Sequence, residues 1–473
     1  MTDRPTSGVD VEITGHAGLR VTAGETTVLV DPWLGGSAYW RSWWQYPPPP
    51  QFESAALSPQ YVMLSHHHFD HFHFPSMRRI DRHARLLIPR FAVDVMPREL
   101  ENLGFDHVTE LDHGRRYELD GGISVASFQY GLDDSVIVIV ANDTVIFDVN
   151  DCKIRGRALA KVVQEFGRPT FLLKNYSAAQ AYPHCYQAAQ GSDLEMLSPE
   201  SYVADFLATT RAVAPRYAVP FASMVCFLHP DTVGFNSTVV TPDRVADAFA
   251  DDPVLGTELV VLAPGDRWSA DDGFTIGPTD WYHDRMERIE ALARVVAPKV
   301  EAARCDEEAK AASFGAFATY MDEFVRSLPR LVRSMFTRPV CFRSAERYWI
   351  VDIAAGAVTE CTELPERWAS VVDVAPGLLG DAIDKRVLNL VHISMRLRID
   401  LAPEGLSTDL MFWAMLIIFE LGYLPLGRLD RRRLARVGWS RRREFVDMAV
   451  MAARTPGSLA TRLSASFMAS PTT

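Results

Sequence analysis

The stretch Leu64–Phe74, LSHHHFDHFHF, decides how this chain is read, because it crowds five of its 13 histidines around one aspartate. It follows the apolar run YVML at residues 61–64, which predicts a short buried strand ending directly at the histidines. Within it, His66, His68, Asp70 and His71 spell H-x-H-x-D-H. On extended chain His66 and His68 point the same way, with period two, so both reach one metal ion. Asp70 and His71, where the chain bends towards a helix, face a neighbouring position. The spacing therefore builds two adjacent metal positions. A merely solvated polar loop is the competing reading, and four ligand-type residues at this spacing straight after an apolar strand disfavour it. His67 and His73 fall outside the pattern, and Phe69, Phe72 and Phe74 are expected to pack.

Two adjacent cations call for a carboxylate from elsewhere in the chain to offset their charge. The run TVIFDVNDCK, residues 144–153, supplies Asp148 and Asp151 near a strand end. An odd step separates them, so they face opposite ways, and Asp151 at the strand exit is the expected bridge.

With 473 residues, 48% hydrophobic and 23% charged, the chain is long enough for two or three domains. A formal charge of -12 argues against a broad nucleic-acid surface and for a small-molecule partner. The six cysteines, Cys152, Cys185, Cys226, Cys305, Cys341 and Cys361, form no C-x-x-C pair, and MTDRPTSGVD lacks a signal-peptide pattern. Reduced thiols and a cytoplasmic location are the expectation. The apolar segment Leu410–Leu426 is interrupted by Glu420, Gly422 and Pro425, which predicts a buried helix and no transmembrane span. The Arg-rich run after it reads as a solvated helical face.

The first half alternates apolar runs with turn signals: VEITG, TTVLVDPW, VIVIV and TVIFDVND as strands, the last two joined as a hairpin by Ala141, Asn142 and Asp143. IRGRALAKVVQEFG and SPESYVADFLATTRAVAP read as helices, and TFLLKNY and YAVPFAS as strands between and after them. Sheets sandwiched by helices fit this order. A Gly-, Asp- and Pro-rich link at residues 263–281 separates an expected domain over 1–265 from a helix-rich α+β domain over 283–473, in which Phe314, Phe317, Met321 and Phe324 share one helical face.

H-x-H-x-D-H after a strand, preceded by GHAGLRVTAGETTVLVDPWL and followed by Asp151, resembles the metallo-β-lactamase fold superfamily. More narrowly, DPWLGGSAYWRSWW, DDSVIVIV, VNDC, AAQAYPHCY and PFASMVCFLHP are similar to the catalytic domain of CMP-N-acetylneuraminate hydroxylase and related bacterial proteins, over about residues 12–240. The resemblance implies a four-layer αββα sandwich. It implies His66, His68, Asp70, His71 and Asp151 as metal ligands, Asp70 and Asp151 among them as catalytic groups, and His229 of FLHPD as a further ligand. Two departures stand out. Where hydrolases of the superfamily carry another histidine before the DDS strand, this chain offers Tyr130, Gln129, Asp133 or Asp134. Ala222 stands near the usual last histidine. The chain also has no C-x-H and C-x-x-H pair of a Rieske cluster.

Other residues near the motif have two readings each. His16 either lines the pocket or satisfies a turn. Trp33, Trp40, Trp43, Trp44 and Tyr46 form either an aromatic lip over substrate or a packing lid. His184 and Cys185 read as core.

A ligand set poorer in imidazole suits iron better than a hydrolytic zinc pair. The reading is an oxygen-dependent diiron hydroxylase that draws electrons from an external reductase, with a small-molecule, nucleotide-sugar, CoA-linked or carrier-linked substrate. A dizinc hydrolase of an ester, lactone or phosphodiester is the alternative. A non-catalytic binding module is disfavoured by the complete ligand cluster.

Overall fold

The computed structural model describes residues 8–177, 180–188 and 200–454. The opening of the helix expected at Ser198, Ala178 and Ala179 of AAQAYPHCY, and the last 19 residues of the expected C-terminal domain lie outside the described residues.

Two sheets face each other in the N-terminal half. The first has eight strands in the order Gly273–Thr275, Arg267–Ser269, Val9–Ile13, Leu19–Ala23, Thr26–Val30, Tyr61–Met63, Arg85–Pro89, Val108–Leu111. The second has seven, with Ile123–Tyr130, Asp134–Ala141 and Thr144–Asn150 as an antiparallel meander, then Phe171–Lys174 and Tyr217–Pro220 added in parallel. Period-two alternation assigns each strand's faces. Val125, Ile137, Ile139 and Ile146 join Val11, Val21 and Val28 in the apolar layer between the sheets. Phe128, Val138 and Phe147, one residue out of step, pack outward against Leu159 and Val162 of the Gly156–Phe166 helix. On the far side, Leu86 and Ile88 pack against Met96 and Leu100 of the Val95–Asn102 helix. Helix, sheet, sheet and helix make the four expected layers. Each fully buried Val, Ile or Phe here contributes about 1.5–3 kcal/mol of transfer free energy.

The domain boundary differs from the sequence expectation. The Gly- and Asp-rich stretch read as a link forms two short strands, and Val11 pairs with Trp268, so the first sandwich extends past residue 265. Gly273, at φ 78°, makes the turn between them.

The C-terminal half is helix-rich around a six-stranded mixed sheet, and Tyr186–Ala188 from the first half supplies its edge by pairing with Leu397–Leu401. Phe317, Met321 and Phe324 are buried on one helical face as expected, with Phe314 packed at the margin. The apolar segment after residue 405 is a buried helix, Leu406–Glu420, closed by Gly422 at φ 85°. No helix among the described residues is long and apolar enough to cross a membrane. One apolar cluster runs from Trp33, Tyr39, Trp43 and Phe227 to Phe342, Phe412 and Trp413, so the two halves share a core. Buried Arg396 ties them with charge as well, pairing with Asp231 at 3.0 Å and Glu307 at 2.9 Å. Asp447 of the last described helix accepts the Arg157 N–H at 2.8 Å, capping a helix whose own N-cap residue, Arg155, makes no side-chain cap.

Candidate metal centre

The strand Tyr61–Met63 runs parallel to Thr26–Val30, and its exit, Leu64, is pinned by an N–H donated to the Leu87 carbonyl at 3.0 Å. Phe72, fully buried against Met77, Leu86 and Leu100, anchors the other end of the loop. Between these anchors the His68 carbonyl accepts from His71 N and Phe72 N, at 3.1 and 2.7 Å. That tight turn swings Asp70 and His71 to one side of the His66 and His68 pair.

Six residues gather there in two groups of three, His66 with His68 and Asp151, and His16 with Asp70 and His71. Within each group the ligand-type atoms lie within 4.8 Å of one another. Asp151 Oδ2 stands 3.4 Å from His71 Nε2, so the carboxylate of the first group also faces the second. Asp70 Oδ2 lies 3.0 Å from His16 Nε2 and 3.6 Å from His71 Nε2.

The surrounding hydrogen bonds fix which atoms are free. Asp31, at the exit of Thr26–Val30, takes the His71 Nδ1 proton at 2.7 Å and is itself held by Ser65 N and Ser65 Oγ at 2.8 and 2.5 Å. His71 therefore turns Nε2 towards the site, and that buried atom has no hydrogen-bond partner. Ser65 Oγ, having donated to Asp31, accepts from His66 Nδ1 at 2.9 Å, which turns the lone pair of His66 Nε2 towards His68 Nδ1, 2.9 Å away. Nδ1 of buried His16 lacks a hydrogen-bond partner as well, and its Nε2 faces Asp70 Oδ2. Buried orphan nitrogens are costly, of order 1–3 kcal/mol each, and a cation between them removes the cost. The donor set thus fits a metal ion in each group. Tyr39 donates its hydroxyl to Asp70 Oδ1 at 2.5 Å, leaving Oδ2 for the site.

Electrostatics follow the same division. Burial, reinforced by His71 and His68, holds His66 well below the usual imidazole range. For His71 burial acts in the same direction, and the charges of Asp70 and Asp31 outweigh it and raise the ring well above that range. Asp70 is held well below the carboxylate range by His71 and His16 against its burial.

The residues expected from sequence divide as follows. His66, His68, Asp70, His71 and Asp151 come together. His229 does not. It is buried elsewhere, 3.3 Å from Asp231, where burial and the Arg396 charge lower its pKa to about 4. The reason is local: Ala222, at φ 48°, donates its N–H to the His16 carbonyl at 3.0 Å, so the chain turns away after this point and His16 occupies the place. Of the four alternatives before the DDS strand, Asp134 and Asp133 approach the first group, each 3.8 Å from the nearest nitrogen of His66 and His68 respectively. Tyr130 lines the cavity, whereas Gln129 turns away to His113 and the Leu111 carbonyl. Asp148 sits on the same strand face as Ile146, sealed between the sheets with both oxygens unpartnered, and burial and the nearby Asp31 push its pKa well up. Trp33, Trp43 and Tyr46 are core side chains, so the aromatic stretch packs more than it covers. Cys185 is buried, and His184 lies against Phe235. Asp31 and Tyr39 were not singled out from sequence. The signal for Asp31 was its position at a strand exit beside the motif strand.

Comparison with known proteins agrees with this architecture. Residues 10–164 match the family described as Beta-lactamase superfamily domain. A Mycobacterium tuberculosis protein named "Putative Rieske 2Fe-2S iron-sulfur protein" is 29% identical over 267 residues, 52% of this chain and 49% of that protein. The chain spans about half the length of the curated relatives it matches over this extent. The cytidine monophosphate-N-acetylneuraminic acid hydroxylase of Danio rerio is 34% identical over 68 residues, 14% of this chain and 12% of its own length. Among solved structures, CmlA, a diiron β-hydroxylase from Streptomyces venezuelae, aligns with 56% of this chain and 54% of its own at 20% identity and a TM-score of 0.40. Metallo hydrolases align at a similar level. Residues 10–164 match the model of that superfamily domain, and the N-terminal half of this chain has a metallo-β-lactamase fold carrying the candidate ligands of a dinuclear metal site.

Proposed function

We propose that the protein is a dinuclear non-haem iron enzyme that hydroxylates a small-molecule or carrier-linked substrate with dioxygen. One observation carries this: each group is two imidazoles and one carboxylate, the facial set that leaves coordination positions open on ferrous iron. Hydrolytic zinc sites also use two histidines and a carboxylate. Here Asp133 and Asp134 also stand 3.8 Å from the far ring nitrogens of His68 and His66, and a carboxylate-rich surround of this kind suits iron. The names of the hydroxylase relatives point the same way. Iron at these positions would supply reductive activation of dioxygen, using two electrons from an external reductase.

In this reading His66, His68 and Asp151 would hold one ion and His16, Asp70 and His71 the other, with the Asp151 carboxylate facing both groups. Asp31 and Ser65 fix the imidazole tautomers. Tyr39 holds Asp70 in one orientation through its hydroxyl. Asp70 and Asp151 are the carboxylates at the reacting centre.

Metal analysis by mass spectrometry on protein purified without added metal tests the reading, together with an optical spectrum before and after reduction and oxygen exposure. Two irons per chain and an oxygen-sensitive near-ultraviolet band are expected. Two zincs that persist when iron is supplied during expression overturn it in favour of ester, lactone or phosphodiester hydrolysis.

A further inference from the structure

The two groups open into a cavity of about 250 Å³ that both halves of the chain line. His68, Asp70 and Asp151 belong to it, and so do Asp133 and Asp134. If two divalent ions are present, as the proposed function has it, the four carboxylates Asp70, Asp133, Asp134 and Asp151 offset their charge. Glu444, also on the wall, is engaged by buried Arg441 at 2.7 Å. Lys153 and Arg155, just past the strand end that delivers Asp151, then remain as excess positive charge on the lining. Arg155 is steadied by its Nε, which donates to the Lys153 carbonyl at 3.4 Å. Another part of the wall is apolar and comes from the C-terminal half: Ile393, Trp413 and Ile417.

We propose that the site selects a compact apolar molecule carrying one anionic group, the anion held by Lys153 and Arg155 and the apolar body set against Trp413 and Ile417. This inference rests on the dinuclear reading and adds the substrate's chemical class to it. A carboxylate and a phosphate monoester share the required chemistry. A charge-assisted hydrogen bond is worth about 1.5–3 kcal/mol, so loss of the anion weakens binding about tenfold or more. Loss of the apolar body removes several buried carbons at about 0.8 kcal/mol each, an effect at least as large.

The test is calorimetric binding of four probes to the metal-loaded full chain: 4-phenylbutyrate, phenyl phosphate, the uncharged 4-phenylbutyramide, and acetate. At least one aryl anion is expected to bind about tenfold more tightly than both the amide and acetate, and comparison of the two aryl anions tells carboxylate from phosphate. Acetate controls for a carboxylate that merely caps a metal. Arg155→Ala and Ile417→Gln, the latter at a half-buried position whose folding is checked by circular dichroism, are each expected to weaken the preferred probe by about tenfold. Equal affinity for amide and anion, absence of binding, or indifference to both substitutions overturns the proposal. Metal content measured on the same samples separates the two failures: two metals with no probe preference overturn only the substrate class, whereas absence of metal overturns the dinuclear reading as well.

Discussion

Set side by side, two buried polar clusters among the described residues, each with histidine and aspartate, differ in one respect. In the C-terminal half, Tyr186 stands 2.9 Å from His392 Nε2 and 2.7 Å from Asp409 Oδ2, and Ser370 donates to Asp409 Oδ1 at 2.6 Å. Its polar atoms answer one another, and burial holds His392 neutral, with a pKa of about 3. In the N-terminal half, His16 and His71 keep buried nitrogens without partners, and two histidine nitrogens, on His66 and His68, meet at 2.9 Å. Composition alone does not separate these clusters. Satisfaction does: a complete hydrogen-bond set marks structure, and buried lone pairs that converge on one point mark a place for a cation.

The sharpest way to break that contrast is to remove the converging nitrogens. His66→Ala with His68→Ala is expected to abolish binding of one ion and to lower turnover by more than about hundredfold, beyond the upper end of what an outer-shell change costs. Metal analysis and a turnover assay read this, with circular dichroism to show the fold retained. A variant that keeps two metals sinks the assignment of the first group.

Next in size is the bond between the halves. Arg396→Ala removes its pair with Asp231 across the halves and leaves Glu307, in its own half, buried without its cation, and is expected to cost about 3–5 kcal/mol of unfolding free energy by urea titration. A loss under about 1 kcal/mol would mean that the shared apolar core alone holds the halves together. Asp31→Asn tests the outer support of the site: the amide cannot fix the His71 tautomer as the carboxylate does, and metal affinity by chelator competition is expected to fall about 10–100-fold.

The same contrast explains what could be read before the fold was known. His66, His68, Asp70 and His71 fall within six residues of one loop, so their spacing alone brought them together. Strand parity pointed to Asp151, which the fold places beside the motif; alternation and helix stops gave sheets between helices, and the resemblance gave the four layers. His16 is 50 residues before His66 and reaches it only because the strands flanking His16 share a sheet with the motif strand, a long-range fact that no local period encodes. His229 failed for the converse reason, since a single turn at Ala222 carries the chain towards Arg396. The boundary at residue 265 was misplaced because short edge strands rich in Gly and Asp look like a link.

The smallest expected effect concerns the satisfied cluster. Burial raises Asp409 to about 6, despite hydrogen bonds from Ser370 and Tyr186 that favour its charged form. A carboxyl whose folded pKa lies above its unfolded value of about 3.9 contributes stability that is complete below about pH 4 and is lost as pH rises through 6. Asp409→Asn removes that titration. The variant's unfolding free energy, relative to the parent protein, is therefore expected to improve between pH 4 and pH 7 by about 2 kcal/mol, the stability the parent loses as Asp409 ionises; a hydrogen bond the amide fails to accept lowers both ends alike. Urea titrations at the two pH values read the difference. A gap independent of pH would mean that the folded and unfolded states release the Asp409 proton over the same range, so that burial leaves this carboxyl unshifted. Either way the measurement needs no metal, so it isolates the cluster whose polar atoms satisfy one another from the one that needs an ion to do so.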